Sequence, residues 1–255
     1  MQVKSTRLLI PFSQTGVAVI YQLDLPVDVP AHSHSDAQRC AQSLAGVVAD
    51  ALREAIDTQG YASLVVSGGR SPLSFFASLA AQPLNWSRVV VSLADERWVA
   101  PGDAASNETL VRDHLLQGPA AAARFIGMYH PGATLEEAAE QADAALAELP
   151  LPIDVLVLGM GEDGHTASLF PGSPLLAAAL SPDCPRRCLP MQAPDEPRQR
   201  LTLTLPLLKA ARLQLLVIAG QAKVDTLRRA LAGSDPLEMP IRAFLHYPLE
   251  IHWNP

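Results

Sequence analysis

Residues Ile153–Pro171 read IDVLVLGMGEDGHTASLFP, and this stretch decides the fold. Val155-Leu156-Val157-Leu158 is a solid apolar run rich in β-branched residues. A run so short, ended by glycine, reads as a strand buried on both faces. Gly159, Gly161 and Gly164 break it. Glu162 and Asp163 sit between them, and His165 and Thr166 follow. A strand thus ends in a glycine-rich turn that carries a carboxylate and an imidazole. In open α/β sheets, ligands bind at such carboxyl-terminal strand ends.

Working outward, further apolar runs alternate with helical patterns. Leu64–Val66, Val89–Leu93 and Leu213–Ala219 read as strands. Arg124–Met128, Arg200–Thr204 and Leu249–Trp253 are weaker candidates, and Val17–Tyr21 reads as an edge strand or hairpin. Ser35-Asp36-Ala37-Gln38 and Thr134-Leu135-Glu136-Glu137 have the form of capping boxes that open long helices. Pro72 suits the first position of a helix over Leu73–Leu79. Helices are also expected from Ser106 to about Leu116, over Leu205–Ala211, and over Lys223–Leu231. The proline-rich residues 171–199 read as a surface excursion, and His32 and His34 as part of a loop. Strands alternating with helices imply α/β architecture, a mostly parallel, doubly covered sheet, and a single domain over residues 1–255.

Bulk properties narrow the function. The chain has 255 residues, 49% hydrophobic, with a net charge of −7. It lacks the basic face expected of a nucleic-acid binder. Leu8-Leu9-Ile10 stops at Pro11, too short for a secretory core, and no window nears the ~18 apolar residues of a membrane span. A cytoplasmic protein is expected, with Cys40, Cys184 and Cys188 as reduced thiols.

Three strand ends carry unusual residues: Gly68-Gly69-Arg70-Ser71, Asp95-Glu96-Arg97 and Gly161-Glu162-Asp163-Gly164-His165. In a parallel sheet one crevice collects all three. The first turn feeds a helix N-terminus, where glycine backbone and free N–H groups attract anions, and Arg70 would add a bidentate fork. A plain tight turn has the same glycines. His165 is the side chain there that exchanges protons near neutral pH. Asp163 either orients it or caps the turn. Asp95 and Glu96 either pair with Arg97 structurally or take part in catalysis. Neither a P-loop, a dinucleotide fingerprint nor a G-x-S-x-G nucleophile elbow is present. The helical zinc patterns H-x-x-x-H and H-E-x-x-H are also missing, so no metal is expected.

Gly159–Gly172, GMGEDGHTASLFPG, resembles the signature of the 6-phosphogluconolactonase family. Asp95-Glu96-Arg97-Trp98-Val99 and Ser67-Gly68-Gly69-Arg70-Ser71-Pro72 resemble its other two motifs. Ser106-Asn107, Arg200-Leu201-Thr202 and Gly220-x-x-Lys223 fall in the expected order. Arg70 stands where serine is commoner, and Ser71 replaces threonine but keeps the hydroxyl. The resemblance spans roughly residues 35–235. It implies a glucosamine-6-phosphate-isomerase-like fold, no cofactor, and hydrolysis of a small phosphorylated sugar lactone by a monomer or weak homodimer.

The implied site has His165 and Asp163 as catalytic residues. Gly68, Gly69, Arg70, Ser71, Asp95, Arg97, Asn107, Gly161, Gly164, Arg200 and Lys223 would contact substrate, with phosphate held by Arg70, Arg200 or Lys223. The turn's N–H groups are expected to hold the oxyanion. The isomerase/deaminase branch of the fold has a glutamate five residues after its histidine, where this chain has Phe170. A sugar-phosphate sensor lacking catalysis would need a DNA-binding helix-turn-helix, and the residues before Ser35 read as strand.

Overall fold

The computed structural model describes residues 19–69 and 72–255. Its centre is a seven-stranded parallel sheet in the order β1-β10-β9-β6-β2-β3-β5. In chain order, β1 (Ala31–Ser33) leads into α1 (Ala37–Gln59), β2 (Ala62–Val66), α2 (Leu73–Ala80) and β3 (Val89–Leu93). Next come β4 (Asp95–Arg97), α3 (Asn107–His114), β5 (Arg124–Ile126), α4 (Leu135–Ala145) and β6 (Val155–Leu158). The remaining elements are α5 (Leu176–Ala179), β7 (Cys188–Gln192), β8 (Gln199–Leu203), α6 (Leu205–Lys209), β9 (Leu213–Ala219), α7 (Gln221–Leu231) and β10 (Leu249–Asn254).

Every residue of β2 and β6 is buried. Neighbouring strand residues point to opposite faces, so both faces of the sheet are covered, as expected from the unbroken apolar runs. α1 supplies one cover. It packs against β2, β6 and β10, burying Leu44, Val48 and Leu52 at helical spacing. Its cap is Asp36, whose carboxylate accepts the Arg39 N–H at 2.8 Å, one residue later than the capping box implied. Gly60 ends it at φ +85°, a left-handed position that suits glycine.

Three expectations fail. The part of the expected Val17–Tyr21 strand that lies within the described residues is a bend and a 3-10 turn at Ile20–Gln22; Val17 and Ala18 lie outside them. His32 lies inside the edge strand β1 rather than in a loop, while His34 stands just beyond the strand's end, outside any regular element. Asp95–Arg97 follows the end of β3, as read from the sequence, and in addition forms β4, the edge of a second, antiparallel sheet ordered β4-β8-β7. The excursion at 171–199 supplies β7 of that sheet and buries Cys188, Pro190 and Met191. Proline masked it, because a residue without an N–H is unexpected inside a ladder and is tolerated on an edge strand such as β7. Cys40, Cys184 and Cys188 are free thiols. No helix among the described residues is long and apolar enough to cross a membrane.

One buried carboxylate ties the start of β6 to its neighbours. Asp154 is 3% exposed. It accepts the Ser63 N–H at 2.8 Å, the Ser63 hydroxyl at 3.1 Å and the Gln59 amide at 2.9 Å. The Arg212 guanidinium stands 3.3 Å away. Replacing Asp154 strands these donors in a dry environment, which costs about 1–3 kcal/mol for a buried group. Asp154→Ala should therefore lower unfolding free energy by about 2–3 kcal/mol in urea denaturation. A loss below about 0.5 kcal/mol would show that water replaces the carboxylate without penalty.

Candidate active site

Parallel register brings the carboxyl ends of β2, β3 and β6 side by side. Above them lies a cavity of about 1120 Å³. Gly68 and Gly69 from the first loop line it, with Asp95, Arg97 and Asn107 from the second. Gly161, Asp163 and His165 come from the third, Arg200 from β8 and Lys223 from the first turn of α7. Arg70 and Ser71 lie outside the described residues. Gly164 stands behind the wall instead. It turns the chain at φ +82°, and its carbonyl accepts the Ile241 N–H at 2.9 Å.

His165 is held from several sides. Its Nδ1 lies 2.6 Å from Asp163 Oδ1, and the same oxygen accepts the His165 backbone N–H at 3.1 Å. A carboxylate partner assigns the proton to Nδ1, which leaves the Nε2 lone pair available as a base. Burial acts to raise the Asp163 carboxyl. The hydrogen bonds from the His165 ring and backbone outweigh it and hold the group below its ordinary value. Phe170 packs against the imidazole with ring centroids 4.4 Å apart. Gly161 lies so close that an added Cβ would strike both the imidazole and Asp163.

The loop spends two of its own donors. Gly161 N–H bonds the His165 carbonyl at 2.8 Å, and Gly164 N–H bonds the Gly161 carbonyl at 3.1 Å. These groups are therefore not the oxyanion donors expected of the turn. Glu162 N–H and Asp163 N–H have no partner in another residue among the described residues and remain available. Ala167, at φ +49°, is the non-glycine residue in the left-handed region, and it also lines the cavity.

The second loop is built around Glu96, which is fully buried. Its oxygens accept N–H groups of Arg97, Asn107 and Glu108, each at 2.7 Å, and the Ser106 hydroxyl at 3.1 Å. A carboxylate thus caps the start of α3, where the helix dipole favours negative charge. Burial nevertheless pushes Glu96 up to about 7, against the pull of those N–H bonds. Asn107 is thereby placed to donate to the Asp95 carbonyl at 2.9 Å, while its side chain fills the space a Cβ at Gly68 would need. Asp95 accepts the Ser168 hydroxyl at 2.6 Å. An Arg97 ion pair with Asp95 or Glu96 is not formed among the described residues. The Arg97 guanidinium bonds the Ala105 carbonyl at 2.6 Å.

Three cations face the cavity with no carboxylate within ion-pair distance among the described residues: Arg97, Arg200 and Lys223. Arg97 and Arg200 are directly opposed across β4 and β8. Like charges so placed repel. Burial, and then Arg97, lowers the Arg200 guanidinium below its usual value. Asp95, Glu162, Asp163 and Asp195 line the same cavity, so these cations offer a local grip for an anion rather than a positive wall throughout. Ser168 is not singled out by the sequence as a site residue, Phe170 reads there only as the position lacking a glutamate, and Glu96, weighed as an ion-pair or catalytic residue, is instead the buried acceptor that organises the second loop. Phe170 also underlies Arg200, 5.7 Å from the ring centroid, so one ring supports both functional side chains. Their place within or beside the quoted motifs was the available signal.

Residues 35–253 match the family model described as glucosamine-6-phosphate isomerases/6-phosphogluconolactonase. The chain belongs to this family. A Pseudomonas aeruginosa protein named 6-phosphogluconolactonase is 60% identical over 236 residues, covering 92% of this chain and 99% of that one. A crystal structure of a Shewanella baltica OS155 6-phosphogluconolactonase is 40% identical with a TM-score of 0.87, covering 91% of this chain and all of the other. A monomeric glucosamine-6-phosphate deaminase is similar in fold, with a TM-score of 0.70 at 18% identity, covering 89% of this chain and 97% of that one.

Glu96 generates a prediction with a pH dependence. In Glu96→Gln an amide NH₂ must face backbone donors, which should cost about 1–3 kcal/mol in urea denaturation. A folded-state value raised from 4.5 to about 7 means that the folded state binds the extra proton. That contribution is complete below about 4.5 and is lost as pH rises through about 7. The stability gap between wild type and Glu96→Gln should therefore narrow across that window. A gap that widens instead would show that the four donors stabilise the ionised carboxylate more than burial opposes it.

Proposed function

We propose that this chain hydrolyses 6-phospho-D-glucono-1,5-lactone to 6-phosphogluconate, a step of the oxidative pentose phosphate pathway, with His165 as general base. The reading rests on one juxtaposition: a carboxylate-oriented imidazole on the wall of a cavity that also holds three cations without carboxylate partners. The Pseudomonas aeruginosa relative's name supports it. The enzyme works in the cytoplasm, as a monomer or weak homodimer and as one domain.

A lactone with a distant phosphate asks two things of such a cavity. The phosphate must be gripped, and a water must be deprotonated at C1. Arg200 and Lys223 supply positive charge for the dianion. The Gly68–Ser71 turn adds to this at the start of α2, which has no side-chain cap. Arg70 and Ser71 of that turn belong to the proposed grip. Arg97 and Asn107 flank the sugar, and Asp95, bonded to Ser168, fixes the wall between the second and third loops.

Water attacks C1 as His165 Nε2 takes its proton, general-base help typically worth ~10²–10⁴ in rate. Asp163 keeps Nδ1 protonated and stabilises the imidazolium that forms. The carbonyl oxygen becomes an oxyanion, and the Glu162 and Asp163 N–H groups are the turn donors left to meet it. Collapse of the tetrahedral intermediate expels the ring oxygen, which takes the proton back from His165. C1 becomes the carboxyl group of the open-chain product.

The isomerase/deaminase alternative needs a proton partner for the histidine, where Phe170 offers an apolar face at 4.4 Å. Lactonase activity is measured on freshly generated lactone, corrected for spontaneous opening, with glucosamine 6-phosphate run in parallel. Turnover of the amine and none of the lactone would reverse the assignment. His165→Ala should fold normally and lose ~10²–10⁴ in kcat. Activity within tenfold of wild type would remove His165 from its role. Arg200→Ala should raise KM more than it lowers kcat, because the phosphate does not react. An unchanged KM would move the phosphate elsewhere in the cavity.

A further inference from the structure

Outside the cavity, four side chains with metal-ligating atoms share one face of the sheet's edge. His32 lies in β1 and His34 just beyond its end, two residues apart; Glu250 and His252 are two apart in β10. Residues two apart on a strand point the same way. The parallel register sets His32 directly beside His252. The imidazoles stack, His32 on His252 at 4.7 Å and His34 on His252 at 5.3 Å between centroids. His32 Nε2 is 3.3 Å from Glu250 Oε2, and one ligand atom each from His32, Glu250 and His252 lies within 4.8 Å of the other two.

Ordinary packing does not account for His252. It is 1% exposed, yet its Nε2 has no hydrogen-bond partner among the described residues. An unmet polar atom in a buried ring destabilises the fold. Its Nδ1 is 3.1 Å from His34 Nε2. If His252 donates that proton, its Nε2 presents a lone pair. A second group that holds the far nitrogen in this way is the usual support of a metal-bound imidazole.

We propose that His32, Glu250 and His252 form a binding site for a divalent cation of the zinc class, with His34 as the positioning residue that fixes the His252 tautomer. Two imidazoles and one carboxylate suit zinc, with water as fourth ligand. The 3.3 Å His32–Glu250 separation already equals the ~3.3 Å edge of a tetrahedron with bonds of ~2.0–2.1 Å. The bound ion clasps the three-residue edge strand β1 to β10. The site stands independently of the lactonase reading, since none of the four residues lines the cavity.

The test uses the full chain, stripped with chelator and titrated with zinc chloride by calorimetry, and with cobalt chloride by visible absorption. One equivalent should bind with micromolar or tighter affinity, give the intense bands of tetrahedral cobalt, and raise the thermal midpoint. His32→Ala and Glu250→Gln replace partly exposed side chains, 44% and 31% accessible, so both should fold. Each should weaken binding at least tenfold and abolish the thermal shift. His34→Gln should weaken it less. His165→Ala should leave the equivalent in place, which separates this site from the Asp163–His165 pair. The proposal is overturned by the lack of saturable binding below millimolar zinc, by binding that is indifferent to both His32→Ala and Glu250→Gln, or by binding lost in His165→Ala.

Discussion

The site depends on a relay of short contacts that begins at one buried carboxylate. Glu96 collects N–H groups from its own strand and from the first turn of α3. That brings Asn107 against Gly68 on one side and the Asp95 carbonyl on the other. Asp95 in turn takes the Ser168 hydroxyl from the loop that carries His165. Three loops distant in sequence are thus linked without touching the reacting atoms. Parallel pairing brings the strand ends to one edge, but strand ends alone leave loops free to diverge. The buried acid and its donors supply the missing convergence, since burying a carboxylate is tolerable only with its hydrogen bonds intact.

The chemistry divides along the same lines. His165 receives orientation from Asp163, an apolar floor from Phe170 and close backbone approach from Gly161. Glycine at 161 is a matter of space, because any side chain would occupy the imidazole's position. Glycine at 164 is a matter of backbone conformation, at φ +82°. The two glycines look alike in the motif and do different work. The donors that they contribute are consumed in shaping the loop, which leaves the Glu162 and Asp163 N–H groups unspent among the turn's amides.

The central strands β2, β3, β6 and β9 were legible because burial on both faces leaves almost no choice but apolar residues. Helix starts at Asp36, Ser106 and Thr134 were legible because orphan N–H groups select oxygen-bearing side chains. The second sheet was not. β4 is three residues of charged sequence, and β7 contains a proline, so neither carries a period that a sheet reader recognises. Their pairing is imposed by tertiary contact. Asp95, Arg97 and Asn107 were found through the motifs, whereas Glu96 and Ser168 act by hydrogen bonds that no spacing encodes. The histidine cluster was hidden for a related reason. Its ligands lie at opposite ends of the described chain, and a strand offers H-x-H where the helical patterns sought were H-x-x-x-H and H-E-x-x-H.

Net charge is a poor guide to what one cavity binds. A chain at −7 suggests poor attraction for an anionic sugar phosphate. Yet surface carboxylates more than a Debye length away, about 8 Å at physiological ionic strength, are largely screened. Inside the cavity the balance is local: Arg97 and Arg200 lie across one strand pair, and Lys223 stands on the first turn of α7, each without a carboxylate partner among the described residues. Asp95 is engaged by Ser168, and Asp163 by His165. Glu162 and Asp195 line the same cavity, so cations and carboxylates share its wall, and an anion is held by the particular side chains it meets rather than by a net positive interior. Arg97 and Arg200 repel one another across the strand pair, and the nearby Asp95 and Glu96 partly offset that repulsion, so the balance at this wall is set by neighbours a few ångströms away and not by the charge of the whole chain.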